Sequence, residues 1–287
     1  MDGSSRGLSV ERQLSELDAP TVRLLWLVEH RLLGPVDVLE RRGIVAGDLA
    51  ALARSLRARK PVASTPQLEE ERQVSAAFAE AGVRALALKG ALLAYRAYPD
   101  PSQRWRADLD VLVARDSIDA GRGALERSGY RPIHPTRGGT PIRQETWVRD
   151  DIGLRWYVDL HWDLRNHPLL RDRFSFEEQY EASRLLPGLA PGARGQGDVH
   201  ALLNSAMHWY DDLYEHKQPL GWLLDNDLLW RTMSETDRAR AAALAVDRGI
   251  AGLLGDVLAR TRDAFDTPIS DDVIDRLVEA GREQPAT

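Results

Sequence analysis

The run Asp108-Leu109-Asp110-Val111-Leu112-Val113 constrains this chain more than any other. Its apolar, β-branched content reads as a strand. Strand side chains alternate, so Asp108 and Asp110 share one face while Leu109, Val111 and Val113 share the other. Aspartate is depleted in strands, and two like charges side by side repel each other. A divalent cation is the natural partner for such a pair. Upstream, Lys89-Gly90 makes a turn suited to phosphate. Downstream, Val158-Asp159-Leu160-His161-Trp162 sets a third acid at the centre of another strand, with His161 on the same face as Asp159. Three acids on neighbouring strands beside a glycine turn outline a two-metal phosphoryl-transfer site, with Asp108, Asp110 and Asp159 as the metal ligands.

Lysine usage sharpens the reading of the turn. The chain has 38 lysines and arginines, yet only Lys60, Lys89 and Lys217 are lysine. A lysine kept at this turn suggests a compact ammonium is wanted there.

The ordered set of motifs resembles the DNA polymerase beta nucleotidyltransferase superfamily. In finer detail it is similar to one bacterial branch, the "nucleotidyltransferase family" proteins. The residues that carry the resemblance are Lys89-Gly90, the apolar helix from Ala91 to Ala97, Tyr98-Pro99, Arg104, Asp108-Leu109-Asp110 and Asp159-Leu160-His161-Trp162. His208 and Asp225 look like a histidine and an acid that the branch carries in later helices. The resemblance spans roughly residues 80 to 235. It implies transfer of an NMP from an NTP to an acceptor, with Mg²⁺ or Mn²⁺ as cofactor. Asp108, Asp110 and Asp159 would be catalytic and metal-binding; Lys89, Gly90, Arg104, His161 and His208 would bind the nucleotide. One departure stands out. The wider superfamily has Gly-Ser or Gly-Gly at the turn, whereas Gly90 is followed here by Ala91, which offers no hydroxyl. The alternative reading is therefore a catalytically silent nucleotide- or partner-binding module on the same fold.

The expected fold class is α+β: a small mixed or antiparallel nucleotidyltransferase sheet with flanking helices, plus helical regions at both ends. Residues 1–80 read as helical, with Pro20 at a first helical position and Thr65-Pro66 opening a helix to Ala81. The α/β core is expected over 81–186. Its strands lie at Val83 to Leu88, Asp108 to Ala114, Arg143 to Val148 and Leu154 to Trp162, and the last two form a hairpin around Asp150-Asp151-Ile152-Gly153. Thr136 to Pro141 reads as a loop. The Pro- and Gly-rich residues 187–197 read as a linker, and 198–287 as a C-terminal helical domain that frays from Gly281. Across the cleft that such a linker implies, His208, backed by Asp225, is expected to face Asp108 and Asp110; otherwise His208 packs within its own bundle. Asp225 and Asp227 taken alone read as helix-surface acids.

The net charge of −6 disfavours a general nucleic-acid binder, so the acceptor is expected to be a small molecule or a protein. No cysteine is present, which removes disulfides and thiolate metal sites. The first residues lack an apolar signal core, and no run reaches the roughly 18 apolar residues of a membrane helix. A cytoplasmic location with no membrane partner is the resulting expectation.

Overall fold

The computed structural model describes residues 9–59, 64–133, 143–151, 153–165, 167–214 and 220–284. The expected loop at 136–141 lies outside them. In chain order the helices are α1 (Val10–Ser15), α2 (Pro20–Glu29), α3 (Val36–Arg41), α4 (Gly47–Arg59), α5 (Ser64–Glu80), α6 (Lys89–Arg96), α7 (Ile118–Arg127), α8 (Phe176–Glu181), α9 (Asp198–Tyr214), α10 (Leu220–Thr232), α11 (Glu235–Asp247), α12 (Ala251–Phe265) and α13 (Asp271–Glu283). The strands are β1 (Ala85–Ala87), β2 (Asp108–Val113), β3 (Arg131–Pro132), β4 (Gln144–Asp151), β5 (Leu154–His161), β6 (Arg184–Leu185) and β7 (Arg194–Gly195). The fold class is α+β, as expected. Among the described residues no helix is long and apolar enough to cross a membrane.

Two compact units make up the chain: residues 63–204, and residues 1–62 with 205–287. The sheet belongs to the first. Its strand order is β3-β4-β5-β2-β1-β7-β6. β2 runs antiparallel to β1 and parallel to β5, and β4–β5 is the expected antiparallel hairpin. One face of the sheet is apolar. Leu109, Val111, Val113, Trp147, Val158 and Leu160 pack there against Val74 and Phe78 of α5 and Leu125 of α7. Alternation makes this layer inevitable once the strands form, because the same residues that bury it turn the carboxylates to the opposite face. α5 therefore completes the core of the sheet unit instead of belonging to a separate N-terminal region.

The Pro- and Gly-rich segment 187–197 is not a free tether. Within it, β7 pairs with Ala87 of β1 and with Arg184–Leu185 of β6. Gly195 is where backbone approaches side chains closely: an added Cβ would lie 2.6 Å from a Leu92 methyl and 2.7 Å from a Leu186 methyl. Glycine content that reads as flexibility in sequence serves close packing here.

In the second unit, the acidic stretch of α10 corrects the surface expectation. Asp225, Asn226 and Asp227 are all fully buried. Asp227 accepts from Arg42 Nη1 at 2.5 Å, Arg231 Nε at 2.8 Å and the Thr267 hydroxyl at 2.6 Å. That charge is paired and hydrogen-bonded on several sides, which a buried carboxylate requires. The chain end is also held further than expected. α13 continues to Glu283, and the Gln284 side chain accepts from Ala251 N at 3.1 Å and donates to Val246 O at 2.8 Å.

Candidate active site

The site is built from two adjacent parallel strands. Asp110 of β2 lies in register with Asp159 of β5, Asp108 with Tyr157, and Leu112 with His161. Registered partners project from the same face, so Asp108, Asp110, Asp159 and His161 share the face opposite the apolar core. Ligand atoms of Asp110, Asp159 and His161 lie within 4.8 Å of one another, a separation that one metal ion could span. Asp108 stands one pleat along the strand from Asp110 and outside that group.

Asp110 is the hub. Lys89 Nζ lies 2.6 Å from its Oδ1, and His161 Nε2 donates to the same oxygen at 2.8 Å. Burial alone would raise the Asp110 pKa. The Lys89 charge and the His161 hydrogen bond outweigh it and hold the carboxyl far below the ordinary range. Burial acts on Asp108 in the same direction but is reinforced by the charges of Asp110 and Asp159. Its pKa is pushed up to about 6, against weaker opposing pulls from Lys89 and Arg104. The His161 pKa is lowered, by burial and then by Lys89, with Asp110 opposing. Asp159 is held on one side only. Gln144 Nε2 on β4 donates to its Oδ2 at 3.3 Å, while the solvent-shielded Oδ1 has no partner among the described residues. A half-buried carboxylate with one oxygen unbonded, in a group with a second acid and an imidazole, fits a divalent cation.

Lys89 reaches Asp110 from an unusual backbone. It is the first residue of α6 and adopts φ +43°, a left-handed conformation that costs a non-glycine residue about 1–3 kcal/mol. Gly90 follows for a packing reason. A Cβ there would lie 3.2 Å from Arg106 Cβ. Arg106 passes through that gap to form a doubly bonded pair with Glu71, both contacts 2.6 Å, and donates to Arg104 O at 2.7 Å. Arg106 thus neutralises a buried acid. Arg104 is itself buried, donates to Trp105 O at 2.6 Å, and its charge is felt at Asp108. Ala91 lies in the apolar core, where a serine hydroxyl would sit among hydrocarbon.

Of the sequence candidates, the structure brings together Lys89, Asp108, Asp110, Asp159 and His161, with Gly90 and Arg104 alongside. His208 belongs to the other unit, edge-on to Trp222 with ring centroids 4.3 Å apart. Gln144 and Glu71 escaped the sequence reading. Gln144 touches Asp159 only because β4 sits beside β5 in this register, with Gln144 opposite His161. The faint signal for it was its even spacing from Thr146 and Val148 along an expected strand.

Curated proteins provide no match to the chain. A family profile described as "Uncharacterised nucleotidyltransferase" matches residues 24–266, most of the chain and all of the site. A chain matched over that length, with acids in register on adjacent strands beside the Lys89 turn, belongs to the uncharacterised nucleotidyltransferase family.

Proposed function

We propose that this protein transfers an NMP from an NTP to an acceptor hydroxyl, using Mg²⁺ or Mn²⁺ held by Asp108, Asp110 and Asp159. The observation that carries the reading is the convergence of Asp110, Asp159 and His161 within 4.8 Å, beside a lysine at a helix start. Metal bound at these carboxylates would lower the pKa of the acceptor hydroxyl and offset phosphate charge. Lys89 leaves Asp110 and holds the β- and γ-phosphates, with Gly90 letting the backbone approach and Arg104 adding positive charge. Before metal binds, His161 holds Asp110 in place through its Nε2. The Asp159 carboxylate takes the hydroxyl proton as the acceptor oxygen bonds to the α-phosphorus. The bond to pyrophosphate breaks, leaving an NMP-modified acceptor and free pyrophosphate. The overall charge of −6 favours a small molecule or a protein over nucleic acid as acceptor.

Calorimetry with α,β-methylene-ATP and Mn²⁺ tests this reading. Binding is expected in the wild type and lost in Asp108→Asn with Asp110→Asn; equal affinity in both overturns it. Lys89→Ala is expected to weaken triphosphate binding about tenfold to a hundredfold, since a charge-assisted contact is worth roughly 1.5–3 kcal/mol, and AMP binding much less. Tight metal-dependent binding with no pyrophosphate release from any NTP would instead favour the silent binding module.

A further inference from the structure

We infer that the cation in this site is coordinated by His161 as well as by Asp110 and Asp159, a mixed nitrogen and oxygen donor set that favours Mn²⁺, Co²⁺ or Zn²⁺ over Mg²⁺. The inference rests on the proposal that the site holds a metal and goes beyond it in naming the donors and the class of ion. Among the described residues, the acid and histidine group close enough to share an ion contains His161 and leaves out Asp108. His161 is 1% exposed, so its ring is shielded from solvent. Its Nε2 lies 2.8 Å from Asp110 Oδ1. Adjacent ligands of an octahedral ion with bonds of about 2.1 Å lie roughly 3.0 Å apart, so these two donors already stand at the spacing of neighbouring ligands. Asp159 supplies the third donor; its Oδ1 is shielded from solvent and has no partner among the described residues, while Gln144 restrains its Oδ2.

The protons balance. In the neutral ring, Nε2 carries hydrogen toward Asp110. Coordination through Nε2 moves that proton to Nδ1, which has no partner among the described residues, and exchanges the Nε2–H bond to Asp110 for a bond to the ion. Lys89 must withdraw from Asp110 Oδ1 as the ion enters, which frees its ammonium for phosphate. Imidazole is a good donor to Mn²⁺ and the later divalent metals, whereas Mg²⁺ strongly prefers oxygen and retains water. With Asp108 outside the inner group, the first ion meets one nitrogen for every two carboxylates.

Pulsed electron paramagnetic resonance on the full chain with one equivalent of Mn²⁺ tests this, with calorimetry of Co²⁺ and Mg²⁺ beside it. A directly bonded ¹⁴N coupling is expected, replaced by a ¹⁵N coupling when the histidines are ¹⁵N-labelled and absent in His161→Gln. The ratio of Co²⁺ to Mg²⁺ affinity is expected to fall about tenfold or more in that variant. Mn²⁺ bound in the wild type with oxygen couplings only, or a nitrogen coupling that survives His161→Gln, overturns the inference and leaves the metal-dependent reading standing. No Mn²⁺ bound by the wild type overturns both. If His161→Gln does not fold, the labelled and unlabelled wild-type spectra, read against Asp159→Asn, decide the question.

Discussion

Replacing Lys89 with methionine keeps most of the side-chain volume and removes the ammonium 2.6 Å from Asp110 Oδ1. The two side chains are 12% and 5% exposed, so water can do little to replace the lost charge. Breaking a buried pair by removing one partner typically costs about 3–5 kcal/mol, because the remaining charge is left uncompensated. His161 still donates to Asp110, and the backbone strain at φ +43° is the same for methionine as for lysine. The lower end, about 3 kcal/mol, is therefore expected. Urea unfolding followed by tryptophan fluorescence reads it as a lower midpoint. Adding Asp110→Asn should recover part of the loss, giving a coupling of roughly 1–3 kcal/mol in the double-mutant cycle. The cation then offers a second, sharper test. At a hundred times its Kd, Mn²⁺ stabilises by about 2.7 kcal/mol through linkage. Methionine does not compete for Asp110, so Mn²⁺ should bind Lys89→Met more tightly than wild type and raise its midpoint at lower concentration. An unchanged midpoint in the variant, or Mn²⁺ stabilising both proteins equally at every concentration, would refute the view that Lys89 occupies the cation position beside Asp110.

Three further outcomes are expected. Asp108 has a pKa raised from 3.8 to about 6, so its ionisation opposes folding; the cost is absent below the unfolded value near 4 and complete above 6. Asp108→Asn should therefore stabilise the metal-free protein at pH 7.5 by roughly 1–3 kcal/mol and leave it unchanged at pH 4; thermal melts at the two pH values check this, and equal shifts contradict it. Gln144→Ala removes the amide that restrains Asp159, and calorimetry should show Mn²⁺ affinity reduced about tenfold or more with stability changed by no more than about 1 kcal/mol; unchanged affinity means Asp159 needs no support from β4. Asp227→Ala removes the carboxylate that pairs Arg42 and Arg231 and accepts from Thr267; both guanidinium groups stay partly exposed and keep backbone carbonyl partners, so unfolding should show a loss of about 1–3 kcal/mol; an unchanged stability would mean Asp227 holds none of these segments together.

Local periodicity made much of this protein legible. Alternation alone placed Asp108 and Asp110 on one face and Leu109, Val111 and Val113 on the other, and the sheet keeps that division. The hairpin at Gly153, which has φ +76°, and the helix opened by Pro20 also follow from residues next to one another in the chain. What the sequence could not decide depends on strand order and register between distant segments. Only the parallel pairing of β2 with β5 sets Asp159 opposite Asp110 and draws His161 into the cluster while leaving Asp108 outside it. Only the placement of β4 beside β5 gives Gln144 a role. Lys89 suggested a phosphate contact in sequence, yet in the fold it pairs with an acid 21 residues away. Segment 187–197 has a linker's composition, but β1 and β6 pair with its Arg194–Gly195. Asp225 and Asp227 carry the composition of a helix surface but are buried, because Arg42, Arg231 and Thr267 converge on Asp227 from separate segments. Side-chain period is a property of a few neighbouring residues, whereas burial and partnership are set by which segments pack together, and that exists only in the folded chain.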